Sequence, residues 1–265
     1  ETTLCAAEWT QGCNRMDYVI VPSEHAKNVF KQTSFEKKDH AGNIIEKLQL
    51  TTKIDVLFEG LDMNVFNKKP SSNFKLDIKE DFAFLYVGHW LKGEFSHDRK
   101  DAGGMIRTFL ETFKNVNKRN QPALILKTSG ATFSVHDRQD ILKKIDAIKK
   151  MVSGSTLPNI YVVHGNLSQD ELNNLYNNPK VKSMITFSHG EGFGRPLLEF
   201  SVTGKPVIFS NWSGHIDFLS EYNVPLAGEL KHVHKTAADN MCIKESQWFY
   251  VDYQYASGAI KDVHN

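Results

Sequence analysis

The stretch MITFSHGEGFGRPLLEFSVTGKPVIFSNWSG, residues 184–214, reads as a strand, a glycine turn, a helix and a second strand in immediate succession. Gly190, Gly192 and Gly194 carry no Cβ, so the chain can turn sharply there and a ligand can approach the backbone closely. Pro196 fits the first helical position, where its missing N–H costs nothing. Gly204 ends the helix and Pro206 opens the next strand.

The same rhythm recurs upstream. Apolar runs end in glycine-bearing loops at Gly88 (FAFLYVG), Gly130 (ALILKTSG) and Gly165 (IYVVHG), as they do at Gly192 and Gly214. Continuous apolar runs mark strands buried on both faces, hence a mostly parallel sheet covered by helices on each side. The intervening helices are legible. GMIRTFLETFKNV aligns Met105, Ile106, Phe109, Leu110 and Phe113 on one stripe, and SQDELNNLY opens with a Ser168/Glu171 capping box. The expected fold class is α/β, with a parallel, doubly wound, Rossmann-like sheet. Ligands of such sheets lie beyond the carboxyl ends of the strands, which places all five glycine loops on one rim.

Nearer the start, MDYVIVPSEHAKNVFKQTSF reads as strand, Ser23 N-cap and helix, and KIDVLFEG as another strand. The polar stretch 60–80 is the expected linker. Two strands are too few to stand alone. Their edges need cover from the other domain, from further N-terminal chain, from a second copy or from a partner chain.

With 265 residues, 40% hydrophobic and 24% charged, the chain suits one large or two modest globular domains. A formal net charge of +1 supplies no general field for polyanions, so nucleic acid is not an expected partner. Cys5, Cys13 and Cys242 have no metal-ligand or redox spacing, which favours a reducing compartment. No apolar run reaches the roughly 18 residues of a spanning helix. A cytoplasmic protein, free or peripheral to a membrane, is the expectation, and the sequons at Asn166 and Asn211 are discounted accordingly.

Glu191 lies in the glycine turn and Glu199 in the helix that follows. An ionised carboxylate only accepts hydrogen bonds, which suits the paired hydroxyls of a sugar. The amides of Phe193 and Gly194, near the helix start, suit a phosphate-like anion. Two acids flanking an anion site suggest a ligand with sugar, phosphate and sugar in series. A blander reading fits the same residues: Glu199 complements the helix dipole and Glu191 is a solvated loop residue.

Here the sequence resembles a known family. Glu191-x7-Glu199 within HGEGFGRPLLEF, followed by GKPVIFSNWSG, is similar to the EX7E donor motif of retaining GT-B glycosyltransferases, in particular glycosyltransferase family 4. Similarity extends to residues 22–30, 56–66, 84–113 and 162–176, in the family's order. The resemblance implies a hexosyltransferase that retains anomeric configuration without a metal. Glu199 would bind the ribose diol, Glu191 the transferred sugar, and the amides around Gly192, Phe193 and Gly194 the diphosphate. Lys100 would neutralise the leaving diphosphate, with Arg99 beside it as a second donor. Gly88, His89, Thr128, Gly165, Asn166 and Leu167 would complete the donor site. No cofactor is implied beyond the substrate, a nucleoside diphosphate sugar; the acceptor is an unidentified glycan, lipid or protein.

The resemblance divides the chain into residues 1–78, a shortened acceptor-side portion with linker, and residues 79–265, the nucleotide-sugar-binding domain. There are departures. His89 stands where the family has arginine, and about six extra residues separate Gly88 from Lys100. Arg99 is placed to supply that charge. Most of the family's N-terminal acceptor domain has no counterpart, so a non-catalytic nucleotide-sugar-binding module is the alternative expectation.

Competing motifs fail at named residues. GxGxxG needs glycine where Arg195 stands, and a P-loop needs Lys and Ser/Thr where Glu94 and Phe95 stand. Asp-x-Asp and Gly-x-Ser-x-Gly do not occur. His232-x-His234 lacks a third ligand at recognisable spacing and reads as a surface pair.

Overall fold

The five apolar runs become strands of one parallel sheet in the computed structural model, which describes all residues except 71, 73, 131, 220 and 221. In chain order the elements begin with α1 (Ala7–Cys13), β1 (Tyr18–Val21), α2 (Glu24–Gln32), β2 (Ser34–Lys38), β3 (Ile44–Gln49) and β4 (Lys53–Val56). Then come β5 (Ala83–Val87), α3 (Ala102–Phe113), β6 (Ala123–Lys127), α4 (Val135–Met151), β7 (Ile160–Val163) and α5 (Gln169–Asn177). The chain finishes with β8 (Val181–Ile185), α6 (Arg195–Ser201), β9 (Val207–Ser210), β10 (Val224–Leu226), β11 (Gly228–His232), β12 (Gln247–Val251) and α7 (Tyr253–His264).

The main sheet has six strands in the order β10-β9-β8-β5-β6-β7, all parallel. Alternate residues of each central strand enter opposite cores. Phe84, Tyr86, Leu124 and Leu126 pack with Met105, Phe109 and Ile145 on one face, while Ala83, Leu85, Ala123 and Ile125 meet Leu175, Tyr176 and Phe200 on the other. Burial on both faces explains why these strands read as unbroken apolar runs. The order also defines a switch point. After β5 the chain winds outward through β6 and β7, then returns to place β8 on the other side of β5. The loops leaving β5 and β8 therefore diverge and open a crevice between them.

The sixth strand, β10, was not legible: it is three residues long and contains Pro225 at the sheet edge, where a missing N–H is tolerated. The antiparallel hairpin β2–β3 was also not legible. Its residues are almost all exposed, so no buried face imposes an alternating pattern.

Described residues of the expected linker, 60–80, contribute to the core. Phe66 and Ile78 are buried in the second core. An asparagine-rich helix end straps the chain down: Asn177 donates to Asn67 O at 2.8 Å and Asn178 to Phe74 O at 2.9 Å.

β1 and β4 form a separate two-stranded parallel sheet. The helix between them docks on the main domain beside the crevice. Ser23, which caps α2, donates its hydroxyl to Gly192 O at 2.6 Å, and Glu24 N donates to Asp217 Oδ2 at 2.8 Å. His25 meets the Trp212 ring edge-on at 4.6 Å between centroids.

Candidate functional site

The loop leaving β5 is anchored to the next strand: Gly88 N donates to Lys127 O at 3.2 Å and Trp90 N to Ser129 O at 2.8 Å. His89 Nδ1 lies 2.9 Å from Ser129 Oγ. The longer loop then returns to α3 through Asp101, which adopts φ 44° and accepts Gly104 N at 3.1 Å as the helix cap. Tyr253 of α7 donates its hydroxyl to the other Asp101 oxygen at 2.6 Å. This buried clamp fixes the helix start and thereby the two cations just before it, Arg99 and Lys100.

Across the crevice, the turn after β8 is held from three sides. Glu191 N donates to Ser213 Oγ at 2.9 Å, Gly214 N donates to Glu191 O at 2.9 Å, and His189 N donates to Arg99 O at 2.8 Å. The buried His189 ring lies between carbonyls of Phe249 (2.6 Å) and Ser96 (3.2 Å), tying the two loops to β12. Glu191 consequently faces the cations. It forms an ion pair with Lys100 and another with Arg99 Nη1 at 3.3 Å, and Arg99 also meets the Glu1 carboxylate at 3.1 Å. Burial alone would raise the Glu191 carboxyl, but Lys100 and Arg99 overcome it and hold the group at about 2.

Glu199 has a different setting. The helix begins one residue earlier than expected, with Gly194 as a left-handed N-cap and Arg195 first, so Glu199 is the fifth helical residue rather than part of the first turn. Its carboxylate accepts Arg195 Nε at 3.1 Å and the Tyr176 hydroxyl at 3.3 Å. Burial pushes its pKa up, and Arg195 and Tyr176 oppose the shift. The Phe193 ring is buried against Phe58 and Phe218, at 4.8 and 5.1 Å between centroids, so its side chain is core while its amide lies in the turn.

A cavity of about 440 Å³ opens beside this arrangement. Its walls bring together Gly88, His89, Arg99, Lys100, Thr128 and Asn166 from the sequence reading and add Lys127, Ser129, Phe133 and Pro196. Thr128 Oγ1 is buried, with no hydrogen-bond partner among the described residues. Gly165, Leu167, Glu191, Gly192, Phe193, Gly194 and Glu199 are not among the lining residues, although Glu191 reaches them through Arg99 and Lys100. Lys127 escaped the sequence reading because it looks like the polar end of an apolar run. A larger cavity, about 750 Å³, lies at the opposite ends of the strands and carries none of the predicted residues. Among the described residues no group of three or more His, Cys, Asp or Glu side chains could hold a metal ion, and no helix is long and apolar enough to cross a membrane.

His25, packed beside the turn, supplies a pH test. Burial, with a smaller contribution from His215, pushes it down to about 4. Between its unfolded value near 6.5 and about 4, the unfolded chain binds a proton that the folded chain refuses, so this group withdraws stability as pH falls through that window. Relative to the parent, His25→Gln is therefore expected to gain about 3 kcal/mol between pH 7 and pH 4, the worth of such a shift. Urea unfolding at the two pH values measures it; a constant difference between variant and parent would refute it.

No family model and no curated protein matches the chain. Solved structures do. Sucrose-phosphate synthase from Thermosynechococcus elongatus aligns over 96% of this chain and 51% of its own, with TM-score 0.60 and 15% identity. The trehalose-6-phosphate synthase OtsA aligns over 97% of this chain and 54% of its own, with TM-score 0.59 and 9% identity. The pneumococcal O-GlcNAc transferase GtfA, solved with UDP and GlcNAc, aligns over 83% and 36%, with TM-score 0.50 and 16% identity. The fold is thus α/β and Rossmann-like, of the GT-B type. The chain spans about half the length of the first two structures it matches.

Proposed function

We propose that this chain is the donor-binding part of a glycosyltransferase that moves a hexose from a nucleoside diphosphate sugar to an acceptor hydroxyl, with retention at the anomeric carbon. The observation that carries the reading is the buried cluster of Glu191, Lys100 and Arg99 at the switch point, beside a cavity of nucleotide size. The names of the structural neighbours, two sugar-phosphate synthases and an O-GlcNAc transferase, support it.

In this reading the bond between the anomeric carbon and the diphosphate oxygen breaks, and its electron pair leaves with the diphosphate. Lys100 and Arg99 stabilise the charge that develops there, without a divalent ion. The acceptor oxygen bonds to the anomeric carbon from the face the diphosphate leaves, and the acceptor proton passes to the departing phosphate oxygen. Glu191 orients the sugar hydroxyls and keeps both cations in place before the donor arrives. The Phe193 and Gly194 amides, which make no hydrogen bond among the described residues, serve the diphosphate. Glu199 binds the ribose, exchanging Arg195 or Tyr176 for its hydroxyls.

The test is thermal unfolding with uridine, guanosine and adenosine diphosphates in a chelator. A ligand at about 100 times its dissociation constant adds roughly 2.7 kcal/mol, which raises the melting temperature of a domain this size by roughly 5 °C or more. No shift with any of the three would refute the assignment.

A further inference from the structure

We propose that Lys127 is a third cation of the donor site and binds the diphosphate of the incoming nucleotide sugar. The inference rests on the donor reading above and adds to it a residue that the sequence motifs do not point to.

Lys127 ends β6, in register with Val87 of β5, so it stands level with the start of the Gly88 loop. From there it lines the same 440 Å³ cavity as Arg99 and Lys100. The three cations differ in their partners. Arg99 and Lys100 are both paired with Glu191, whereas no carboxylate lies within ion-pair distance of Lys127 among the described residues. Its ammonium donates to Gly165 O at 2.8 Å and stands 5.5 Å from the centre of the Phe133 ring. A neutral carbonyl and a ring face compensate a half-buried charge less well than an anion does.

Burial pulls the Lys127 pKa down, as expected of a cation without a counter-charge. Beside it stands Thr128, another lining residue, whose buried hydroxyl has no hydrogen-bond partner among the described residues. The formal charge of a nucleoside diphosphate sugar lies on its phosphates, so the diphosphate is the part of the donor that completes this environment. The Gly165 contact then has a clear use. It holds the ammonium toward the crevice until a phosphate oxygen replaces the carbonyl.

The experiment is calorimetric titration of the wild-type chain, Lys127→Met and Lys127→Arg with whichever of uridine, guanosine or adenosine diphosphate binds wild type most tightly, at several salt concentrations. Lys127→Met is expected to weaken binding about tenfold, or 1.4 kcal/mol, and to flatten the salt dependence. Lys127→Arg is expected to stay within about threefold of wild type, because it retains the charge. Unchanged affinity in Lys127→Met would overturn the proposal, as would equal weakening in both variants with an unaltered salt dependence, the signature of a purely structural tie to Gly165. If Lys127→Met does not fold, amine acetylation of wild type decides: the diphosphate should protect Lys127 and leave the exposed Lys143 unprotected. Failure to protect would overturn the proposal. Wild-type protein that binds no diphosphate at all would remove the donor reading, and this inference with it.

Discussion

Glu191→Ala is expected to lose about 3–5 kcal/mol of stability, because it leaves two largely buried cations, Lys100 and Arg99, without their shared carboxylate. The pH dependence should carry the same signature. The Glu191 carboxyl is held at about 2 when folded, below its ordinary value near 4.5, so it contributes about 3 kcal/mol above pH 4.5 that disappears as pH falls toward 2. The alanine variant should lack that limb. Glu191→Gln keeps the shape and one acceptor and is expected to fold better. Under the proposed glycosyltransferase reading it should transfer sugar at least about 100-fold more slowly than the parent, the scale on which a group acting at the reacting centre is felt. Removing the carboxylate also frees both cations, so nucleoside diphosphate affinity should not fall in Glu191→Gln. A kcat loss without a weaker diphosphate complex separates a role in the reaction from a role in donor capture. Urea unfolding and turnover assays on the two variants measure these effects. A stability loss below about 1 kcal/mol in Glu191→Ala would show that the ion pairs are not what holds the turn.

Gly214→Ala is the second large effect. A Cβ on residue 214 would press on the Gly192 carbonyl oxygen and lie 2.6 Å from its carbon and 2.9 Å from Glu191 O. All three atoms are backbone, so no side chain can swing aside. The Gly214 N–H that donates to Glu191 O would be pushed away with them. The expected loss is about 3 kcal/mol, at the upper end for overpacked sites. Gly192→Ala is the matched control. Its Cβ would meet nothing within 4 Å, so stability should change by less than about 1 kcal/mol, the ordinary cost or gain of alanine for glycine. Under the proposed donor reading, in which the neighbouring Phe193 and Gly194 amides hold the diphosphate, nucleotide affinity should nevertheless drop in Gly192→Ala. The two alanine variants thus separate folding from binding, and equal stability in urea unfolding would contradict the close approach of the 191–192 and 213–214 backbones.

The sheet and its caps were legible because their signals are local. An apolar run that is buried on both faces shows itself in five successive residues, as in Ala83–Val87, and the Ser168/Glu171 capping box is complete within four positions. Ser23 was readable as a cap for the same reason. β2, β3 and β10 were not, since exposed or three-residue strands owe their existence to a pairing partner rather than to their own pattern. Within the site, the glycine turn could be picked out by residue type and spacing, whereas Arg99 and Lys100 were singled out only through the resemblance to glycosyltransferase family 4. Lys127 could not, because what distinguishes it from an ordinary strand-end lysine is the cavity it lines and the lack of a carboxylate partner among the described residues.

The amino-acid order by itself settled that this chain is α/β, where its main parallel strands lie, and that an acidic, glycine-rich turn follows one of them. Strand order, the crevice between the loops after β5 and β8, and the pairing of Glu191 with Lys100 belong to the tertiary structure alone. The reason is range. Backbone propensity, periodicity and capping act over a turn or a strand, whereas charges 91 positions apart meet only after β8 has inserted beside β5 and buried the space between them. In that low-dielectric space each group's ionisation and partner are set by neighbours the linear sequence does not name.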